Sequence, residues 1–189
     1  MLYDETPRHR DMFLNAIRKG VYKNAAFNRV IKDFVSQGGE LDDNILNREK
    51  NNPELAVKRF PAEIKTDLIH KKGALGAGRD DNPEKASYFT QLYLVAGKVQ
   101  TDGQLDAIAS KKNKSFSVSA RETYKTIGGT PHLDGDYTVF GEIVLGMEVA
   151  DAINIVVTNK DDVPEDPIVF NPEILSKKEA FKLRATLKH

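Results

Sequence analysis

The chain contains no cysteine among its 189 residues, which excludes disulfides, thiolate metal sites and cysteine nucleophiles outright. It lacks net charge as well, since 28 Lys and Arg balance 28 Asp and Glu. The usual electrostatic case for a nucleic-acid partner or an anionic membrane surface is therefore absent. No apolar run approaches the roughly 20 residues needed to span a bilayer, and membrane insertion is not expected. Met1 is followed at once by Tyr3, Asp4 and Glu5, with no apolar core of a signal peptide. As it stands the chain reads as cytoplasmic, or as a periplasmic or cell-envelope protein if a leader has been removed. Internal repeats and low-complexity segments are missing.

Several familiar chemistries are missing too. The four histidines, His9, His70, His132 and His189, show no metal-ligand spacing, so neither a metal nor another cofactor is expected. Gly73-Ala74-Leu75-Gly76-Ala77-Gly78 lacks the Gly-Lys-Ser/Thr ending of a phosphate loop. It reads instead as a strand of small residues closely approached by another backbone. No serine sits in a Gly-x-Ser-x-Gly elbow.

What is present is enough for one domain with a proper core: 40% hydrophobic and 30% charged residues, in a chain of sufficient length. The first element reads as a helix, with Thr6 as cap, Pro7 at the first position, an apolar face of Met12, Phe13, Ala16 and Ile17, and Gly20 as the left-handed stop. Ala26–Ile31 and Phe34–Gln37 read as strands around a Lys32-Asp33 break. Residues 40–72 read as loop with a short helical piece around Pro53–Lys58. Gln91–Val95, apolar on both faces, reads as a strand. Capping-box patterns at Thr101–Gln104 and Ser119–Glu122 predict two short helices. A strand over Tyr137–Val144, a helix near Met147–Ile153, an extended Ile168–Phe170 and Ile174-Leu175, and a basic helical tail over 176–189 complete the chain. Many strands without a βαβ rhythm predict a mainly β protein, a closed barrel plugged by helices.

Phe27-Asn28-Arg29-Val30-Ile31-Lys32-Asp33-Phe34-Val35-Ser36-Gln37-Gly38-Gly39 resembles the cyclophilin signature Phe-His-Arg-x-x-x-x-Phe-x-x-Gln-Gly-Gly. Thr90-Gln91-Leu92-Tyr93 is similar to the Ser-Gln-Phe-Phe strand of that family. His132-Leu133-Asp134-Gly135 with Tyr137-Thr138-Val139-Phe140-Gly141 resembles its Leu-Asp-Gly…Val-Phe-Gly block. The blocks keep the family's order, and the resemblance runs from about Leu2 to Leu175. Pro-Glu-Lys before the second block and Gly-Gly-Thr-Pro-His in the third resemble bacterial members carrying a helical insertion, here about 101–126.

This resemblance implies a domain over residues 1–175, a closed eight-stranded β barrel capped by helices, and peptidyl-prolyl cis-trans isomerase activity. The family opens with a β hairpin of which only Leu2–Glu5 remains, so the first strands are expected to be missing. By resemblance Arg29, Phe34 and Gln37 are the catalytic set. Val35, Gly76, Ala77, Gly78, Gln91, Tyr93, His132, Leu133 and Tyr137 line the substrate groove. The implied partners are proline-containing peptides or unfolded chains, met by a monomer. Asn28, Val35, Tyr93, His132 and Tyr137 depart from the common residues, and the Tyr93 hydroxyl needs a partner. Two alternatives stay open: a cyclophilin-like module that binds proline-containing segments with little turnover, and an unrelated barrel for a small apolar ligand. The second would leave Arg29, Gln37 and Tyr93 scattered rather than around one cleft.

Overall fold

The computed structural model describes residues 1–187. Its centre is a six-stranded antiparallel sheet in the order β5-β3-β4-β2-β1-β6. The strands are β1 (Ala25–Ile31), β2 (Val35–Gly39), β3 (Ala74–Ala77), β4 (Gln91–Val95), β5 (Val139–Glu142) and β6 (Ile168–Phe170). Among the described residues six α-helices accompany it: α1 (Pro7–Arg18), α2 (Asp42–Lys50), α3 (Asp102–Lys112), α4 (Val118–Thr126), α5 (Met147–Asn154) and α6 (Lys177–Thr186). The mainly β expectation holds, but the sheet does not close. The eight closed strands expected become six with β5 and β6 at the edges. Part of the β5 edge is covered from the N-terminus, where Leu2 bridges Gly141 and the Tyr3 amide donates to the Phe140 carbonyl at 2.9 Å.

Helix α1 stops as its sequence requires. Gly20 sits at φ +71°, the Gly20 amide donates to Ile17 and the Val21 amide to Ala16, which together form a Schellman end. Thr6 does not cap it through its hydroxyl; the residue is wholly buried, with that hydroxyl unpartnered. The apolar face of α1 (Phe13, Ala16, Ile17) packs with Tyr22, Leu92, Leu75 and Phe170 over one face of the sheet. Val35, Ala74, Tyr93, Val95 and Val139 form the other cluster, joined by Tyr3, Phe34, Leu68, Leu133 and Tyr137. Alternation along β4 sends Leu92 to the first cluster and Tyr93 to the second.

The 40–72 segment differs from expectation. Its helix is α2, over Asp42–Lys50 rather than Pro53–Lys58, with Asp42 and Asp43 in the first turn and Arg48 and Lys50 in the last, the charge order that a helix dipole favours. The Thr101–Gln104 capping box is present at the start of α3. Helix α4 is capped by Ser117, whose hydroxyl accepts the Ala120 amide, so Ser119 lies inside the helix instead of at its cap. Strand β5 is shorter than the Tyr137–Val144 run, and residues 174–175 are not in a strand. The tail is helical over Lys177–Thr186, opened by a Ser176–Glu179 capping box; its last two residues lie outside the described ones. Among the described residues no helix is long and apolar enough to cross a membrane.

Candidate active site

The register of the sheet builds one row across four strands. Arg29 on β1 pairs with Gln37 on β2, Gln37 with Tyr93 on β4, and Tyr93 with Gly76 on β3. Directly paired residues point to the same face, so a guanidinium, a carboxamide and a phenol ring stand side by side above a glycine. Gly76 has to be small there, because a Cβ would overlap the Tyr93 ring. The sequence expectation of a close backbone approach along 73–78 is thus corrected at Gly76 and Gly78: what comes close is a side chain, Tyr93 over Gly76 and Gln91 over Gly78.

The turn between β1 and β2 sets the wall of the cleft. Asp33 takes a left-handed φ of +60° and the Phe34 amide closes the turn onto Ile31 at 3.1 Å. The Phe34 carbonyl then accepts the amides of both Ala96 and Gly97 at 3.0 Å, pinning the residue to the end of β4. Asn154 of α5, 4% exposed, staples the same hairpin. Its oxygen accepts the Asp33 amide, and its nitrogen donates to the Ile31 carbonyl and the Ser36 hydroxyl.

The resulting cleft holds about 150 Å³ and is lined by Arg29, Phe34, Val35, Gln37, Asp42, Gly78, Arg79, Gln91, Tyr93, Leu133 and Tyr137. Nine of the twelve expected site residues, the three catalytic ones and six of the groove, therefore surround one cavity. Gly76 and Ala77 are buried and do not reach its surface, Gly76 lying beneath Tyr93. His132 is exposed and stacks on Phe34, ring centroids 5.3 Å apart, so it backs the wall instead of lining the cavity. Asn28 spends its amide on the Gly39 carbonyl, a packing role.

Four further residues are drawn in from loops and helix ends. Asp42, at the start of α2, accepts hydrogen bonds from Gln91 and, at 3.5 Å, from Gln37, fixing both carboxamides. Arg79 lies over the Tyr137 ring, 4.7 Å from its centroid, and donates to the carbonyls of Asp136 and Asp80. Asp162 faces Arg29 at 3.6 Å, both side chains 42% exposed, and its carbonyl accepts the Val30 amide. Such an exposed pair is weak, and among the described residues the Arg29 guanidinium makes no hydrogen bond. His70 accepts or donates at the Tyr93 hydroxyl at 2.8 Å, which supplies the partner that the hydroxyl needs. Burial holds the Tyr93 phenol far above its ordinary pKa, so it stays protonated. Adjacency gave a signal for Arg79, next to Gly78, and first-turn acidity gave one for Asp42; nothing local marks Asp162 or His70.

The model of the family described as cyclophilin type peptidyl-prolyl cis-trans isomerase/CLD matches residues 1–171. The chain belongs to the cyclophilin-type peptidyl-prolyl cis-trans isomerases. It is 28% identical over 161 residues to the peptidyl-prolyl cis-trans isomerase cypE of Dictyostelium discoideum, covering 85% of this chain and 80% of that protein. It is 27% identical over 164 residues to CYP18-2 of Arabidopsis thaliana, covering 87% and 77%. A cyclophilin-type isomerase of Cryptosporidium parvum, solved in the presence of the dipeptide Ala-Pro, superposes with a TM-score of 0.61 at 20% identity, covering 90% of this chain and 87% of that one. This likeness extends the cyclophilin fold to the present chain. Arg29, Gln37 and Tyr93 surround one cleft, so the alternative of an unrelated apolar-ligand barrel falls away.

Proposed function

We propose that this cyclophilin-type isomerase accelerates X-Pro rotation in peptides or unfolded chains by holding the Arg29 guanidinium against the twisted amide. Resonance blocks rotation about a peptide bond by roughly 18–20 kcal/mol, and X-Pro exchange without a catalyst takes tens to hundreds of seconds, on the order quoted for free peptides. In the twisted form the nitrogen regains its lone pair and becomes an acceptor. A guanidinium near that nitrogen favours the twisted state over the planar one, and catalysis follows as differential binding, with no covalent step and no proton transfer. Arginine suits this because it keeps its charge and its planar fork.

The observation that carries this reading is the cross-strand row Arg29–Gln37–Tyr93 facing a cavity walled by Phe34, Val35 and Leu133. The apolar walls take the proline ring. Among the described residues the Arg29 guanidinium has only a weak contact to Asp162, which leaves it able to turn onto a substrate, and Gln37 stands beside it to orient the carbonyl of the residue before proline. Asp42 accepts from Gln37 at 3.5 Å and is itself held by the Gln91 amide.

Arg29→Ala is expected to lower kcat/KM on an Ala-Pro peptide by at least about tenfold, the loss of one strong transition-state contact. Its fold should be unchanged, because the side chain is half-exposed. NMR exchange spectroscopy or a coupled peptide assay measures it; turnover equal to the parent removes Arg29 from the mechanism.

A further inference from the structure

Behind the cleft lies a buried chain of polar groups that the isomerisation chemistry does not use. The Tyr93 hydroxyl is 2.8 Å from His70 Nε2. His70, 0% exposed, places Nδ1 2.8 Å from Asp134 Oδ1, and its backbone amide donates to the same oxygen at 2.8 Å. The Tyr124 hydroxyl, from α4, donates to Asp134 Oδ2 at 2.6 Å.

The direction of each bond follows from the donor inventory. A carboxylate only accepts, so Nδ1 carries the proton shared with Asp134. In the neutral tautomer this selects, Nε2 is an acceptor, and the Tyr93 hydroxyl donates to it. The ring is also packed by two further neighbours. Gly76 lies so close beneath it that a Cβ would overlap, and Tyr137 meets it edge-on with centroids 6.1 Å apart. Tyr93 is thus fixed at its tip by His70 and at its body by packing. Without that acceptor the phenol would keep a buried, unpaired hydroxyl, which is costly.

We propose that His70 is a positioning residue for the isomerase cleft: gripped by Asp134, it holds the Tyr93 ring as the floor of the proline pocket, and Tyr124 on α4 completes the grip. The inference rests on the reading of the cleft given above. Asp134 also adjoins Leu133, a wall of the same cavity, so one carboxylate ties floor and wall to α4. The helical segment 101–126 thereby bears on substrate binding without touching substrate.

The test is a KM-against-kcat comparison on an Ala-Pro peptide with five proteins: parent, His70→Leu, His70→Gln, Tyr124→Phe and the double variant His70→Leu/Tyr93→Phe. A buried hydroxyl left without its acceptor costs enough that His70→Leu should raise KM about tenfold with kcat changed by less than about twofold. His70→Gln, whose amide oxygen can accept, should restore most of the affinity, and removing the hydroxyl in the double variant should do the same. Tyr124→Phe, remote from the cavity, should raise KM by about two- to threefold, as for the loss of one charge-assisted hydrogen bond at a distance. An unchanged KM in His70→Leu overturns the proposal, as does a loss that neither Gln nor Tyr93→Phe rescues.

Ring resonances of labelled Tyr93, recorded without substrate, report on the same proposal independently of turnover. They should be sharp and single in the parent and His70→Gln, and broadened or doubled in His70→Leu. Identical spectra overturn it. A parent that does not accelerate X-Pro exchange defeats the functional reading instead, and leaves the ring spectra to decide the positioning role.

Discussion

At the residue scale the most constrained position of the site is Gly76. Its backbone needs no left-handed angle; the constraint is the Tyr93 ring lying where a Cβ would be. That ring cannot yield easily, because it is 5% exposed and tethered through its hydroxyl. Gly76→Ala is therefore expected to destabilise by about 1–3 kcal/mol, the usual cost of overpacking a well-filled core, and to raise KM by displacing the floor of the cleft. Thermal melting and peptide kinetics check this. Pairing it with Tyr93→Leu should cost less than the two changes summed, since the residues are in contact; strict additivity would mean that the clash has been relieved elsewhere. Arg29, Phe34 and Gln37 were legible in the sequence because a hairpin fixes their spacing: residues three to eight apart within one hairpin carry their geometry with them. His70 and Asp162 were not legible as members of the site, and Asp42 and Arg79 carried only a weak positional signal. Each reaches it from a loop or helix end brought in by long-range packing, and no local periodicity records that.

At the scale of elements the local signals worked where a cap and a buried face agreed, and failed where two patterns competed. Thr101 is followed three residues later by Gln104, and both reciprocal bonds of the capping box form. Ser119-x-x-Glu122 has the same spacing, but Ser117 takes the cap instead. The phase of α4 is set by burying Ala120 and Tyr124, four apart on one face, and the start at Val118 places Ala120 at the third helical position. Pro53 similarly drew attention to residues 53–58, whereas the charge order of Asp42, Asp43, Arg48 and Lys50 marked the actual helix α2. This distinction is measurable. Ser117→Ala is expected to cost about 1 kcal/mol, raising amide exchange in α4 by roughly fivefold, whereas Ser119→Ala should lie within about 0.5 kcal/mol of the parent. Equal effects at the two serines would contradict the cap assignment. The order of the strands and the open edges were beyond local reading, because pairing of β1 with β6 joins residues more than a hundred positions apart.

At the scale of the whole molecule, two buried histidine–carboxylate pairs stand in for the disulfide or thiolate-metal staples that a chain without cysteine cannot form. One is the His70–Asp134 pair; the other joins α1 to the loop before β3. His9, 0% exposed, meets Glu63 at 2.6 Å through Nδ1 and again through its backbone amide at 2.7 Å, and its Nε2 lies 3.2 Å from the Ser87 hydroxyl. Burial lowers the His9 pKa below its ordinary 6.5, against the partial opposition of Glu63. The unfolded chain therefore binds a proton here at a higher pH than the folded one, and folding stability must fall as pH drops below about 6.5. Carboxylates act in the same direction lower down. Burial would raise Asp136, but its hydrogen bonds to Lys112 and Lys85 outweigh that and hold it at about 2 against an ordinary 3.8. A depressed carboxylate contributes stability above its unfolded pKa and loses it as pH falls through the folded value, between about 4 and 2. The melting temperature is thus expected to decline below about 6.5, and to decline again below about 4, each kcal/mol lost lowering it by about 2–4 °C. Asp136→Asn should make the second decline shallower while leaving the first, the other depressed carboxylates (Glu40, Glu49, Glu63 and Asp80 among them) keeping part of it. A melting temperature constant from pH 7 to 5 would show that His9 does not gain its proton on unfolding, and the His9–Glu63 pair would lose its place as the acid-sensitive joint between α1 and the sheet.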